Sequence, residues 1–323
     1  MSKPVAPMRP PTPGVQYTAD TWPIAGNMLP FGALAPDGTP NVDAPARSWA
    51  SQLKQVADEG FEFVDPTDAW LSIGELSDAR FAELVDVLAD SGMRVPSISS
   101  TRRSVIDAKR GEDYLRIGHQ LIERAPQLGA SVVNFGLMQD LTPAQKQAQW
   151  FWLAPGYRDP DDPAVRALAV ARIRELAEHA ATLGIEISLE MYEDTYIGTP
   201  DAAVRFCADV DHPACGLNPD LGNLVRLHRD IEDIDAMHAK VLPYTNFWHV
   251  KNYLRDTDPA TGAIMTFPVP MVMGVINYRV QIRAALQLGF HGPFVCEHYG
   301  SDSLGVSAMN REYIKGVLRG ALG

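Results

Sequence analysis

The sequence predicts a single (β/α)8 barrel, an α/β fold in which eight parallel strands alternate with about eight helices. Three observations predict it: a helix–glycine–strand junction recurs along the chain, short apolar strands alternate with amphipathic stretches, and no linker or low-complexity segment breaks the alternation. The 323 residues exceed the usual single-domain size, but barrels of this type commonly run to about 250 residues or more as one domain. Eight units close more naturally into a barrel than into a doubly wound sheet, the competing arrangement.

The junction is plain at Asp58-Glu59-Gly60 before Phe61–Val64, Asp90-Ser91-Gly92 before Arg94–Ile98, Gln127-Leu128-Gly129 before Ser131–Phe135 and Thr182-Leu183-Gly184 before Ile185–Leu189. Leu288-Gly289 before Pro293–Cys296 repeats it late in the chain. Glycine suits the residue after a helix because the left-handed turn there costs it no Cβ clash. Leu53, Val56 and Ala57, then Phe81, Leu84, Val85 and Leu88, then Ile173, Leu176, Ala177 and Ala180, recur at helical spacing ahead of strands. Thr199-Pro200-Asp201 reads as a helix start, with Thr as cap and Pro at the first turn. The remaining strands are read within Tyr17–Leu29 and at Ala214–Pro219 and Asn246–Val250. Residues 1–16 form a Pro-rich arm without the apolar core of a signal peptide, and 17–323 the barrel domain.

Composition narrows the function classes. Net charge is −12 with a pI near 5.1, and no basic stripe marks a nucleic-acid surface. Such a field suits small neutral substrates and repels polyanions. No apolar run reaches the ~20 residues a membrane span needs, and nothing marks export, so a cytoplasmic location is expected. Cys207, Cys215 and Cys296 lie in apolar segments without paired spacing, which predicts buried thiols and no disulfide framework.

Barrels of this type build their sites at the C-terminal ends of strands. Strand five ends at Glu190, strand six at Asp220, strand seven delivers His249 and strand eight ends at Glu297. Each follows an apolar run, where an unpaired charge is costly to bury, and a cation relieves that cost. Three carboxylates and one imidazole leave open positions in an octahedral shell, which predicts one divalent metal, Mn²⁺ first and Mg²⁺, Co²⁺ or Fe²⁺ as alternatives. Glu190 and Glu297 are also the expected proton-moving groups. Lys251, two residues beyond His249, is expected either to polarise a substrate oxygen or to pair with a neighbouring acid.

Ser188-Leu189-Glu190, Asn218–Asn223, His249-Val250-Lys251-Asn252, Gly274–Tyr278 and Val295-Cys296-Glu297 resemble the motifs of the sugar isomerase/epimerase superfamily with the xylose isomerase-like barrel. The resemblance implies metal-dependent enolisation of a keto-sugar. Three positions depart from it: Asn223 where those epimerases commonly carry His, and Asn252 and Asn277 where they carry Asp. Asn hydrogen-bonds but supplies neither charge nor proton, which counts against simple ketose epimerisation.

Apolar loops at Met28–Pro45, Gln149–Tyr157 and Phe267–Met273 call for an aromatic ligand, a lid or another subunit. With Tyr17–Ile24 and Phe247–Tyr253, these features resemble the catalytic subunit of bacterial C-glycoside deglycosidases. That likeness implies a C–C-cleaving lyase acting on a 3-keto C-glycoside of a flavonoid or related phenol, a small β-sandwich partner subunit and a higher oligomer. A keto-sugar 3-epimerase or aldose–ketose isomerase is the alternative. His119 and His298 are further candidates for the base acting on the phenol. A barrel-type DNA-repair endonuclease is disfavoured, because strands two to four end in Asp65-Pro66, Ser99-Ser100 and Asn134-Phe135 without the histidines a multi-zinc site needs.

Overall fold

The computed structural model describes residues 17–300 and 302–322; the Pro-rich segment 1–16 lies outside them. Eight parallel strands form the centre: β1 (Ile24–Asn27), β2 (Phe63–Asp65), β3 (Ser97–Ser99), β4 (Val132–Phe135), β5 (Glu186–Glu190), β6 (Cys215–Asn218), β7 (Trp248–Val250) and, after a hairpin of β8 (Asn252–Thr257) and β9 (Ile264–Val269), β10 (Phe294–Cys296). Four strands pair in the order β2-β1-β10-β7 and four in the order β3-β4-β5-β6. Single bridges join the two groups, Phe63 with Arg94 and Thr67 with Ser99 on one side, Leu217 with Thr245 on the other. The last barrel strand pairs parallel with the first, Val295 opposite Ala25, so the barrel closes.

The outer ring holds α1 (Ala46–Asp58), α2 (Asp78–Ser91), α3 (Gly111–Leu128), α5 (Pro163–Thr182), α6 (Pro200–Val210), α8 (Ile234–Val241), α9 (Tyr278–Gln287) and α10 (Ser303–Leu322), with short α4 (Pro143–Gln147) and α7 (Gly222–Val225) in loops. Gly60, Gly92, Gly129, Gly184 and Gly289, the five junction glycines, all have φ between 69° and 89°, the left-handed region where a Cβ is disfavoured. Thr199 caps α6 by accepting from the Ala202 amide at 3.2 Å. The helical apolar positions Leu53, Val56, Phe81, Leu84, Leu88, Ile173, Leu176, Ala177 and Ala180 are all buried. Among the described residues no helix is long and apolar enough to cross a membrane.

Strand parity sets the barrel interior. Residues two apart on a strand share a face, and Ala25, Val132, Phe247 and Val295 pack together with Phe63 as an apolar floor. Two residues further along the same strands stand Asn27, Asn134, His249, Glu297 and Asp65. The inward face thus changes from apolar to polar in one step, and the polar rung is hydrogen-bonded around the barrel. Asn27 donates to Asp65 Oδ1 at 3.0 Å and Ser97 to its Oδ2 at 2.5 Å. Asn218 Nδ2 donates to Asn134 Oδ1 at 3.3 Å, while its own Oδ1 accepts from the His249 amide at 2.8 Å. Burial pushes the Asp65 carboxyl up to about 8, which keeps this member of the rung neutral at pH 7.

The hairpin β8–β9 differs from expectation. The stretch Phe267–Met273 is predicted as a loop, yet Phe267–Val269 pair antiparallel with Leu254–Asn252. Leu254, Met265 and Phe267 remain exposed on it.

Close approach at Gly292 ties β7 to β10. An added Cβ there would overlap the Asn246 carbonyl oxygen and crowd Phe290. Gly292→Ala is therefore expected to lower stability by about 3 kcal/mol, read as a fall in urea midpoint at constant slope; an unchanged midpoint would mean that the Asn246 segment yields.

His238 on α8 gives a pH test. Its ring packs on Trp248 and Tyr278 and donates from Nδ1 to the Ile234 carbonyl at 2.8 Å, and burial lowers its pKa from 6.5 to about 4. The unfolded chain takes up this proton below pH 6.5 while the native one does not, so its contribution is intact above 6.5 and is lost progressively down to pH 4. The full loss is about 3 kcal/mol. Between pH 7 and 5 wild type should lose more stability than His238→Gln; parallel curves would refute the assignment.

Candidate metal centre and substrate cavity

The polar rung delivers the four strand-end residues to one place. His249 Nδ1 lies 3.5 Å from Glu190 Oε2, 3.6 Å from Glu297 Oε2 and 3.9 Å from Asp220 Oδ2, and all four residues are buried. Glu190, Asp220 and His249 form the tightest set, with one donor atom each within 4.8 Å of the others. Glu297 stands beside it, held by Lys251. The Lys251 ammonium bridges Asp220 Oδ2 at 2.6 Å and Glu297 Oε2 at 2.8 Å, so of its two expected roles the structure displays the ion pair.

The donor set fits a divalent cation. His249 Nδ1 and Asp220 Oδ1 are buried without a hydrogen-bond partner. The Ser99 hydroxyl lies 3.1 Å from His249 Nε2; with the proton on Nε2 donated to Ser99, the Nδ1 lone pair faces the carboxylates, the arrangement a metal-binding imidazole needs. Burial lowers the His249 pKa, which keeps that lone pair free. Three carboxylates and one ammonium leave two negative charges in an apolar setting, the charge a divalent ion neutralises.

The carboxyl groups respond unequally. Burial raises Glu190, and the neighbouring Glu297 charge raises it further. Asp220 is pushed up to about 7, chiefly by burial and also by Glu297 and Glu190, against the pull of Lys251. Burial also opposes the Glu297 charge, but Lys251 and His249 outweigh it and hold that carboxyl at about 2. Asn134 donates to Glu190 Oε2 at 3.0 Å and Asn223 to its Oε1 at 3.2 Å, fixing both oxygens without adding charge.

Glu190, His249 and Glu297 open into a cavity of about 460 Å³ whose walls include Leu29, Met138, Phe151 and Tyr299. A larger cavity of about 720 Å³ lies at the other end of the barrel, around Phe63, Arg94 and Pro293, and touches none of the four. Over the mouth, the 149–157 loop turns inward: Trp150 stacks on Trp152 at 5.0 Å, and Phe151 meets Tyr299 edge-on at 5.7 Å. Arg226, fully buried, pairs with Glu193 at 3.0 Å and lies 4.7 Å from the Phe151 ring and 5.1 Å from that of Trp152. Its Nε and Nη1 have no hydrogen-bond partner, so the aromatic faces provide the attraction there. Trp150, Phe151 and Trp152 thus find partners within the chain, while Leu153 and Tyr157 stay exposed.

Several expectations change. His119 is bonded to His179 at 2.8 Å and to Glu175 at 2.9 Å on the outer helices α3 and α5, away from the cavity, and drops out as a candidate base. His298 is buried beside Glu297 but does not line the cavity. Asn252 donates to the Met271 and Ile276 carbonyls and accepts from the Ile276 amide, while Asn277 caps α9. Two of the three departures therefore sit in structural positions; only Asn223 touches the site. Asn134, Ser99, Tyr299 and Arg226 escape a reading confined to charged strand ends, although strand parity places Ser99 and Asn134 inside the barrel.

Eight strands closed around a carboxylate–imidazole cluster place the chain among (β/α)8 barrels with a candidate metal centre at the C-terminal mouth. It belongs to the xylose isomerase-like TIM barrel family, whose model matches residues 53–317. It is similar to the L-ribulose-5-phosphate 3-epimerase of Salmonella typhi, 25% identical over 266 residues, 79% of this chain and 84% of that one. A xylose isomerase-like TIM barrel protein from Mycobacterium smegmatis, whose crystal structure is a complex with magnesium, is 60% identical with a TM-score of 0.92, covering 95% of this chain and 100% of that one. A D-allulose 3-epimerase from Methylomonas sp. shares the fold at 18% identity and a TM-score of 0.62, over 92% of this chain and 98% of that one.

His249→Ala should abolish measurable Mg²⁺ or Mn²⁺ binding in calorimetry, and Ser99→Ala, which frees the imidazole, should weaken it about tenfold. Wild-type affinity in His249→Ala would remove the imidazole from the centre.

Proposed function

We propose that the chain is a divalent-metal-dependent keto-sugar epimerase. The observation that carries this reading is the convergence of Glu190 and Glu297, beside the unpartnered His249 Nδ1, on one enclosed cavity. Glu190, Asp220, His249 and Glu297 would hold the metal, Mn²⁺ or Mg²⁺. When bound, it supplies Lewis-acid polarisation of the substrate carbonyl.

The chain's own residues supply the proton transfers. One of the two carboxyl groups, ionised, takes the proton from the carbon beside the carbonyl; the other, which faces it across the mouth and carries a proton, gives that proton to the opposite face, and exchange with solvent resets both. The product is the epimer, with no net change in atoms or charge. Lys251 keeps Glu297 ionised and fixed, and Asn134 and Asn223 orient Glu190. Phe151 and Tyr299 exclude water while the carbanionic charge is present. The likeness to the Salmonella L-ribulose-5-phosphate 3-epimerase supports the assignment. The structural roles of Asn252 and Asn277 remove most of the sequence argument against it.

A second reading is retained because the cavity walls extend beyond the carboxylates in apolar and aromatic side chains, Leu29, Met138, Leu141 and Phe151. Those walls suit an aryl group, and the same enolisation on a 3-keto C-glycoside would end in elimination of the phenol, with a β-sandwich subunit as the family likeness implies. Incubation in D₂O separates the two: deuterium at C3 of ribulose or allulose supports epimerisation, whereas release of aglycone without such exchange supports the lyase.

Glu297→Gln should retain wild-type circular dichroism and lose at least about a hundredfold in turnover. A variant keeping more than a tenth of the wild-type rate would take Glu297 out of the mechanism.

A further inference from the structure

The cavity that holds the carboxylates at its floor carries arginines at its rim. Arg102, Arg103 and Arg110, all from the segment after β3, line it together with Asp68 and Asp140. Arg103 is neutralised, bonded to Asp68 at 2.7 Å and to Glu75 at 2.5 Å. Among the described residues neither Arg102 nor Arg110 has a carboxylate within ion-pair distance. Arg102 donates to the Gln139 carbonyl at 2.9 Å and to the Tyr192 hydroxyl at 3.0 Å, while Arg110 lies over the Tyr114 ring at 4.6 Å. Arg102 also holds a left-handed backbone, φ 54°, which an arginine rarely adopts. Three arginines against Asp68, Asp140 and Glu75 leave the rim without net charge, in a chain of net charge −12, and the two arginines not bonded to a carboxylate are Arg102 and Arg110.

We propose that Arg102 and Arg110 form a subsite for an anionic group, phosphate or carboxylate, at the far end of the keto-sugar. The proposal rests on the epimerase reading and names its substrate class. Arg102 is already oriented by Tyr192, two residues beyond Glu190, so the anion subsite and one proton-moving carboxylate hang from the same strand end. Its Nε–H and the outward N–H groups are free for a fork of parallel hydrogen bonds to two oxygens of one anion. The acidic bulk of the protein repels anions in general, and Arg102 and Arg110 are where the cavity rim offers cations that no carboxylate pairs.

Two measurements test it. Inorganic phosphate is titrated calorimetrically into wild type, Arg102→Gln, Arg102→Lys and Arg110→Gln, with and without Mg²⁺. Binding to wild type that falls at least tenfold in Arg102→Gln and Arg110→Gln, less in Arg102→Lys, and that does not need Mg²⁺, is the expected result. Then kcat/KM is compared for L-ribulose, L-ribulose 5-phosphate and a hexuluronic acid. Wild type should favour one anionic substrate at least tenfold, the winner identifying phosphate or carboxylate, and Arg102→Gln should collapse that ratio through KM. A wild-type ratio of one or less, or equal losses on neutral and anionic ketoses in Arg102→Gln, would overturn the proposal. If no ketose reacts at all, the epimerase reading fails by itself; phosphate binding indifferent to both arginines, or absent, sinks the subsite independently.

Discussion

The organisation of this barrel follows from burying three carboxylates and an imidazole directly above an apolar floor. Phe247 and His249, or Val295 and Glu297, are two residues apart on one strand face, so a hydrocarbon layer and an ionic layer are separated by a single rung. Charge so placed is tolerated only when it is paired and hydrogen-bonded. The neighbouring choices obey that demand. Asn134, Asn218, Asn223 and Ser99 donate or accept without adding charge, Lys251 offsets one carboxylate, and Asp65 is pushed towards neutrality. What remains is an excess of two negative charges around a free imidazole nitrogen, and every reading of the protein's chemistry descends from that excess.

The second half of the barrel was legible because Glu190, Asp220, His249 and Glu297 each end an apolar run on consecutive strands, a pattern rare without function. The helix–glycine junctions were legible for a different reason: a left-handed turn narrows the choice of residue at a fixed place. The first half was harder. Asn27, Asp65, Ser97 and Ser99 look like ordinary polar strand ends, and only the period of two along each strand shows that they point inward. The β8–β9 hairpin was hidden by Pro268 and Pro270, which suggest a loop; a two-stranded ribbon tolerates proline because each strand has a free edge.

Asn252 and Asn277 show how a family motif can mislead when read as chemistry alone. A carboxylate at 252 could not donate to the two carbonyls that this amide holds, so the side chain there is chosen by the fold of the Met271–Ile276 segment. The aromatic loop offers the converse case. Its Phe151 and Trp152 pack on Arg226 and Tyr299, a cation buried among rings, so an outer wall of the cavity is attached to the α7 segment.

The polar rung draws on both ends of the chain, since Asn27 ends β1 and Glu297 directly follows the neighbouring β10. The four strand-end residues all lie between 190 and 297, but the groups that orient them, Ser99 and Asn134, come from the first half of the chain. A chain whose first four strands have opened keeps the donors but loses the partners that fix them, and an ion that needs the donors oriented favours the closed ring. Ligand binding confined to the native state stabilises that state in proportion to the logarithm of ligand concentration. A bound divalent metal would then hold the two halves of the barrel together as well as complete the site.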